Sequence, residues 1–421
     1  MSEDEERWGA SSFLVEASLS SGRGQLYAAA PVEGEDEGEV LIAVDGVELR
    51  LGTNLRLASP RLEGMRLEPG TLSGFGWSQG EQRLFSASLH TAVPNLRLRK
   101  TNEYVLSRLV RGRRSLDEFA KALNAVGGEA ACCHCREALI PHLQGLGKAG
   151  CLPSDDWLDG QQSADFFCHP HDAHCTQPAS SSASNPPTAF QPNQGGFLLS
   201  DSHFLLEGER ELASWSLMEG EDGLLHCQHC QSQLGLRIKR GEGERRRLKL
   251  FHSAVQLRLN SEAESLVEQR FGGEAKGLAS FLLAKSATSA SRRLLLQTLD
   301  GRPKLLIWLL EPGTISAAGR LSEGGGRERL EPELSLKLLF RLLPLPQSAS
   351  SEDEPLLGEE EEVGVVRVSE TEAGCNRAAS LLLASAQRLP PPVRTPGLYT
   401  QASLPIAPLG QILHSDASSP F

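Results

Sequence analysis

The sequence lacks both a long apolar run and an excess of basic charge. No stretch of about 18 or more apolar residues occurs in the 421 residues. The first residues, MSEDEERWGASSFLVE, are acidic, whereas a signal peptide begins with basic residues followed by an apolar segment. The 42 basic and 54 acidic residues give a formal net charge of −12, which repels nucleic acid and acidic membrane surfaces. We therefore expect a soluble protein of the cytoplasm, with the nucleus as a second compartment, that binds neither nucleic acid nor membrane.

Signatures of two common catalytic classes are missing as well. The phosphate-binding pattern G-x-x-x-x-G-K-[ST] and the metalloprotease pattern H-E-x-x-H do not occur. The glycine-rich stretch SEGGGRE, at residues 322–328, has no phosphate-binding lysine after it and no helix start. These absences disfavour conventional small-molecule catalysis.

Short strands dominate the sequence from residue 12 to about residue 100. In EVLIAVDGVELRL, at residues 39–51, two apolar runs flank Asp45 and Gly46. This pattern predicts a hairpin, because glycine supplies the positive φ that a tight turn needs. Further alternating segments such as NLRLASP and QRLFSASLH predict more strands of an antiparallel sheet.

Strands and helices alternate in the rest of the chain. Ser115 and Glu118 form a capping-box pattern, which predicts a helix that ends at Gly127. Residues 293–313, RLLLQTLDGRPKLLIWLLEPG, predict a hairpin, and AGCNRAASLLLASAQRLPPP predicts a helix stopped by Pro390. The fold class that follows is α+β and β-rich.

Four of the nine cysteines form two C-x-x-C pairs. Cys132 and Cys135 make one pair and Cys227 and Cys230 the other, with 91 residues between the inner cysteines. Each pair lets two thiolates reach one ion from a tight turn, and four sulfurs complete a tetrahedral shell, so the spacing predicts a structural zinc site. The alternative is that the four are buried or oxidised thiols without a metal.

The segment between the pairs is rich in Cys and His. It contains CLPSDDWLDGQQSADFFCHPHDAHC at residues 151–175, in which Cys168 precedes His169. Cys168 has three interpretations: a zinc ligand, a reactive thiol whose thiolate the imidazole favours, or part of an ordinary turn before Pro170. Adjacent side chains point in different directions on most backbones, so adjacency alone does not establish a Cys–His dyad.

The order of the motifs along the chain is distinctive. It runs from the first C-x-x-C through Trp157 to Cys168-His169-Pro170, then LSDSHFLLE, the second C-x-x-C followed by Leu-Gly, LLIWLL, and a helix ending in RLPPPVR. This order resembles the HECT-like family of ubiquitin-conjugating-enzyme-binding proteins. The resemblance extends from about Cys132 to near Ile406.

The resemblance implies a ubiquitin-protein ligase. Such a protein binds a ubiquitin-conjugating enzyme (E2) charged with ubiquitin and transfers the ubiquitin to a protein substrate or to itself, through a cysteine thioester. Cys168 is the first candidate for that cysteine, because it lies in the motif most typical of the family. Cys375, late in the chain, is the second candidate, and an ordinary helix-packing role is its other interpretation.

Two other functions remain open at this point. The C-terminal half is too short for the two lobes of a standard HECT domain, so the chain could be a non-catalytic adaptor of E2 enzymes with a structural zinc. A zinc-dependent RNA-processing factor is a third possibility, which the net charge of −12 disfavours.

We expect four regions along the chain. Residues 1–128 form an antiparallel β domain that ends in a helix, and residues 129–240 form a zinc-binding module with the Cys-His-Pro motif and a disordered insertion near 176–196. Residues 241–406 form a HECT-like α+β region with an acidic loop at 347–362. Residues 407–421 form a flexible tail.

Overall fold

The computed structural model describes fifteen stretches of the chain. They are residues 12–19, 21–31, 48–51, 55–58, 61–62, 66–79, 82–92, 114–143, 148–152, 196–207, 215–238, 247–320, 322–323, 329–343 and 364–409. The Cys168 motif, the Asp45-Gly46 turn, the acidic loop and nearly all of the predicted insertion and tail lie outside these residues. The predictions made for them stay predictions.

The described residues are β-rich, as expected. The strands of the first half are β1 (Ser12–Ser18), β2 (Arg23–Pro31), β3 (Glu48–Leu51), β4 (Leu55–Ala58), β5 (Arg61–Leu62), β6 (Arg66–Gln79), β7 (Gln82–Ala92), β8 (Gly128–Cys132), β9 (Ala138–Ile140), β10 (Ala149–Cys151), β11 (Phe197–Leu199) and β12 (His203–Glu207). Those of the second half are β13 (Leu217–Glu219), β14 (Leu224–Cys227), β15 (Gln233–Ile238), β16 (Arg247–Phe251), β17 (Val255–Leu259), β18 (Arg293–Thr298), β19 (Pro303–Arg320), β20 (Ser322–Glu323), β21 (Arg329–Leu330), β22 (Glu333–Leu342), β23 (Val365–Glu370) and β24 (Thr400–Pro408).

Five helices occur within the described stretches. They are α1 (Leu116–Val126), α2 (Leu266–Phe271), α3 (Glu274–Ser289), α4 (Glu372–Gln387) and α5 (Pro391–Arg394). The predicted capping box at α1 is confirmed, because the Ser115 side chain accepts from the Glu118 backbone N–H and the Glu118 carboxylate accepts from the Ser115 N–H. None of the helices in these stretches is long and apolar enough to cross a membrane.

The larger sheet has nine strands and joins the two ends of the chain. Its main order is β23-β18-β19-β1-β2-β7-β6, and β22 pairs with both β19 and β24. The predicted hairpin at residues 293–313 is confirmed as the antiparallel pair β18 and β19. Since β1 lies between β2 and β19, the N-terminal strands do not form a sheet of their own, and the expected boundary at residue 128 does not divide the sheets.

Two smaller sheets form the middle of the molecule. One has seven strands in the order β10-β11-β12-β16-β15-β14-β13, and the other has three in the order β17-β8-β9. Strands β16 and β17 follow residue 240, and each pairs with a strand of one of these two sheets. The module therefore extends beyond the expected boundary at 240. Two small additional sheets pair β20-β4-β3 and β21-β5.

The described residues form two main hydrophobic cores. Helices α3 and α4 cover one face of the nine-stranded sheet, where Leu282 and Leu382 are fully buried. The second core lies between α1 and the two smaller sheets, and it includes Cys132 and Cys227. We call this second unit the cysteine module. Burial of apolar surface in both cores is the main stabilising term of the fold.

Candidate metal centre and functional site

The first C-x-x-C pair lies in the tight turn between β8 and β9. The Cys132 N–H donates to Glu137 O at 2.9 Å, and the Arg136 N–H donates to Cys132 O at 3.0 Å. Arg136 adopts φ 64°, which is uncommon for a residue other than glycine. The turn brings Cys135 back beside the end of the strand that carries Cys132.

The second pair has the same geometry, between β14 and β15. The Cys227 N–H donates to Ser232 O at 2.9 Å, and the Gln231 N–H donates to Cys227 O at 2.9 Å. Gln231 has φ 61°, so it matches Arg136 in position and in conformation. The two C-x-x-C pairs therefore form turns of one type, each presenting two sulfurs on the same side.

Backbone hydrogen bonds hold the two turns against each other. The Ser216 N–H donates to Leu139 O in β9, and the Gln228 N–H donates to Ser216 O, both at 3.1 Å. One residue thus links the three-stranded sheet to the turn that follows β14. This contact brings together two turns that are separated by 91 residues in sequence.

The four sulfur atoms meet in one cluster. All of them lie within 4.8 Å of one another, with 3.7 Å between Cys132 Sγ and Cys230 Sγ and 3.7 Å between Cys135 Sγ and Cys227 Sγ. A disulfide needs about 2.05 Å between sulfurs, so these thiols are not oxidised to one another. Four thiolates about 2.3 Å from a tetrahedral ion would lie about 3.8 Å apart. The cluster could therefore hold a metal ion.

The electrostatics of the cluster differ from one sulfur to the next. Burial raises the pKa of Cys132 to about 12 and also raises that of Cys227, although backbone N–H groups of each turn partly oppose the shift. At Cys230 burial also raises the pKa, but the Ser232 hydroxyl and N–H and the neighbouring sulfurs outweigh it and lower the pKa to about 6. Cys230 Sγ lies 3.2 Å from Ser232 Oγ. These groups thus favour the thiolate form at Cys230, and a cation would favour the same form in the other three sulfurs.

The Leu-Gly pair after the second C-x-x-C has a steric explanation. Leu234 is fully buried in the core of the cysteine module, and Gly235 lies opposite Leu250 across β15 and β16. A Cβ atom at Gly235 would lie 1.9 Å from the Lys249 carbonyl oxygen. Only glycine lets the strand that leaves the second C-x-x-C turn lie this close to β16.

The chain matches a known protein family over most of its length. The family described as HECT-like ubiquitin-conjugating enzyme (E2)-binding matches residues 78–399. The chain belongs to this HECT-like family. No curated protein and no solved structure matches the chain. The HECT-like match begins before the expected start near Cys132, so it includes part of the N-terminal strands as well as both C-x-x-C turns.

The two candidate thioester cysteines of this HECT-like chain are Cys168 and Cys375. Cys168 lies outside the described residues. Cys375 lies on α4 with 1% of its surface exposed, in the core between α4 and the nine-stranded sheet. Burial raises the pKa of Cys375 to about 12, and the Glu370 carboxylate adds to the rise. The geometry of Cys375 is that of a packing residue.

The cysteine module and the helices of the HECT-like region meet at a cavity that the sequence analysis missed. The cavity has a volume of about 280 Å³ and lies between β17, α2, α3 and α4. On its wall Ser253 Oγ donates to Glu370 Oε1 at 2.7 Å, and the Thr371 N–H donates to the same oxygen at 2.7 Å. Burial raises the pKa of Glu370. Ser253 and Glu370 are 117 residues apart, so no local pattern could have paired them.

A match to the serine-nucleophile pattern G-x-S-x-G occurs at residues 76–80 and was also missed. In enzymes this pattern lies in a sharp turn from a strand into a helix. Here Ser78 lies near the end of β6, and the next strand, β7, pairs antiparallel to it with Gln79 opposite Gln82. The described strands do not give Ser78 the setting of a nucleophile elbow.

Proposed function

We propose that this HECT-like chain binds a ubiquitin-charged E2 and promotes transfer of the ubiquitin to a protein substrate or to itself. The observation that carries the proposal is the family match over residues 78–399, since it includes both the cysteine module and most of the nine-stranded sheet. Ubiquitin, the E2 and the substrate are the partners that this function requires.

We propose further that zinc is the ion of the four-cysteine cluster. Four sulfurs at tetrahedral spacing, presented by two matching turns, suit zinc better than an oxygen-preferring ion such as magnesium or calcium. Cys132, Cys135, Cys227 and Cys230 would close the coordination shell, which leaves no open position for a substrate. Zinc would therefore cross-link the two sheets of the cysteine module and take no part in the transfer.

Cys168 is the cysteine we propose for a thioester intermediate. Its thiolate would attack the carbonyl carbon of the E2–ubiquitin thioester, form a new thioester and release the E2 cysteine as a thiolate. A substrate amine would then displace Cys168. Of the seven described cysteines, four form the cluster, and burial raises the pKa of the other three, Cys133, Cys151 and Cys375.

The pKa values of the described cysteines favour a second candidate function, that of a non-catalytic adaptor. Outside the four-cysteine cluster, no described cysteine has a pKa below its ordinary value. As an adaptor, the chain would hold the charged E2 while a substrate amine attacked the E2 thioester directly. The two functions differ in whether ubiquitin becomes bonded to this chain.

A single-turnover assay separates the two functions. A preformed E2–ubiquitin thioester is mixed with wild type, Cys168→Ser, Cys375→Ser and, as a matched control outside the candidates, Cys151→Ser, after each protein is shown to retain its metal. A reductant-sensitive ubiquitin adduct that disappears only in Cys168→Ser supports the thioester route. Equal discharge by all four proteins without an adduct supports the adaptor. If no protein binds the E2 or accelerates its discharge, both functions are excluded.

A further inference from the structure

The cavity of about 280 Å³ between β17, α2, α3 and α4 has walls from both hydrophobic cores. Leu257 and Leu266 belong to the core of the cysteine module, and Phe271 and Leu296 belong to the core between the nine-stranded sheet and its helices. An engineered cavity of about 150 Å³ in another protein binds benzene. This cavity is therefore large enough for a ring with a short side chain, and a molecule bound in it would contact both cores.

The part of the lining that comes from α2 and α3 is largely apolar. Leu278 and Phe281 are three residues apart on α3, so they lie on one face of the helix, and both are half-buried. Phe271, at the end of α2, is buried beside them in the lining. These side chains offer an aromatic and branched surface to an apolar ligand group.

A buried carboxylate lies in the lining at the start of α4. Glu370 is 8% exposed, and its Oε1 accepts both the hydrogen bond from Ser253 Oγ and that from the Thr371 N–H. A carboxylate can accept about four hydrogen bonds, so Glu370 can accept further bonds from a group in the cavity. A Cβ atom at Gly374 would lie 2.7 Å from Glu370 Cγ, so glycine at this position lets the carboxylate lie against α4.

The charge of Glu370 is not balanced by an ion pair. Four acidic side chains and one arginine, Arg377, line the cavity. The acidic side chains other than Glu370 pair with arginines or cap α2, and they are Asp201, Glu274 and Glu268. Within the described part of the chain, Glu370 accepts hydrogen bonds from neutral groups only. Burial raises the pKa of Glu370 although its hydrogen bonds and the charge of Lys249 oppose the rise. Since buried charges in proteins are usually paired, a cation in the cavity would be stabilised by this carboxylate.

We propose that the cavity binds a small organic amine, with an ammonium group on an apolar body of about the size of a phenyl ring. The ammonium would donate to Glu370, and the apolar body would pack against Leu278 and Phe281. An anion fits less well, because the lining has four acidic side chains and one arginine. The site includes no member of the four-cysteine cluster, so the proposal does not depend on the ubiquitin function.

Isothermal titration calorimetry with the full chain tests the proposal. The probe is 2-phenylethylamine, and 2-phenylethanol and 3-phenylpropionate carry the same ring with a neutral and an anionic end. The proteins are wild type, Glu370→Gln, Leu278→Trp and, as the matched loss of a carboxylate outside the cavity, Glu372→Gln, since Glu372 pairs with Lys304 at 2.9 Å. Glutamine keeps an oxygen that can accept the two hydrogen bonds of Glu370. Leu278→Trp fills the cavity from a half-buried position, so it provides a second test if Glu370→Gln folds poorly.

We expect 2-phenylethylamine to bind wild type and Glu372→Gln equally, with a Kd of about 1 mM or lower, as for a good ligand of its size. Glu370→Gln should weaken binding about tenfold or more, because a hydrogen bond to a charged group becomes one to a neutral group. Leu278→Trp should weaken it as well. The proposal is overturned if the amine does not bind wild type, if both cavity variants bind it as wild type does, or if 2-phenylethanol or 3-phenylpropionate binds as tightly as the amine.

Discussion

Replacing Cys227 by serine should remove the metal and unfold the cysteine module. Cys227 is fully buried, and its sulfur lies 3.7 Å from Cys135 Sγ on the other turn. Serine keeps nearly the same volume but supplies a hydroxyl, which is a poor zinc ligand. The substitution therefore changes coordination while leaving the packing of the core almost intact.

The expected loss of stability follows from comparing the free energy of zinc binding with the free energy of unfolding. Binding of a structural zinc contributes about 10–16 kcal/mol to the folding of a zinc-dependent unit. The whole free energy of unfolding of a protein is about 5–15 kcal/mol. In the cysteine module the ion would join the turns of two sheets that the Ser216 N–H to Leu139 O bond and a shared hydrophobic core also connect. Half of the zinc contribution, about 5–8 kcal/mol, is as large as the lower part of that range, so its loss should lower the unfolding midpoint sharply or unfold the module.

The assay is metal content per chain together with thermal unfolding. Cys133→Ser is the matched control, because Cys133 lies in the same turn as Cys132 and Cys135 without belonging to the four-cysteine cluster. Wild type and Cys133→Ser should each bind close to one zinc per chain, and Cys227→Ser should bind little and unfold at a lower temperature. If Cys227→Ser retained full metal content and the wild-type midpoint, the cluster would not be a structural zinc site.

Three further predictions concern Gly235, Glu370 and Cys375. Gly235→Ala should destabilise the protein by about 2 kcal/mol or more, because the added Cβ would lie 1.9 Å from Lys249 O. Gly277→Ala in α3 should instead stabilise it by about 0.5–1 kcal/mol, because the atom nearest to its Cβ is 3.4 Å away. Urea unfolding measures both changes in stability. Burial raises the pKa of Glu370 above 4.5, so the folded state binds its proton more tightly than the unfolded chain does, and the contribution of Glu370 to stability falls as pH rises from 4.5 through the folded pKa. Glu370→Gln should therefore lose less stability than wild type between pH 4.5 and neutral pH, and parallel curves for the two proteins would contradict this. Cys375→Ser should lower stability by about 1–3 kcal/mol, because it buries a hydroxyl in an apolar core, yet leave ubiquitin discharge per folded molecule unchanged; a loss of discharge in both Cys375→Ser and Cys375→Ala would contradict the packing role.

Local structure could be predicted well because its signals lie within a few residues. The capping box at Ser115, the hairpin at 293–313 and the helix before Pro390 each depend on short patterns of caps, turns and apolar spacing. The C-x-x-C spacing likewise predicted two turns whose cysteines could hold one ion. Their meeting was also expected, since tetrahedral coordination needs four sulfurs.

Long-range pairing could not be predicted. Ser12 lies opposite Arg320 in the nine-stranded sheet, across some three hundred residues, and no pattern in either strand specifies the other. Pairing of this kind is decided by which edge strands remain unsatisfied once the local elements have formed, because buried backbone groups need partners. The expected boundaries followed changes in composition, whereas the pairing of strands in these sheets does not.

The position of the cysteine module in the chain would give the proposed metal a second consequence. Residues 153–195, which include Cys168, leave the seven-stranded sheet after β10 and return to it before β11. These two strands are neighbours, with Ala149 opposite Phe197 and the Leu152 N–H donating to Leu199 O at 2.7 Å. Both ends of the segment are therefore fixed side by side on the sheet whose opposite end carries Cys227 and Cys230. If the cluster holds an ion, as proposed, that ion would hold this sheet against β8 and β9 and, with it, the attachment points of the segment with Cys168. Metal binding and presentation of that thiol would then depend on one folded unit.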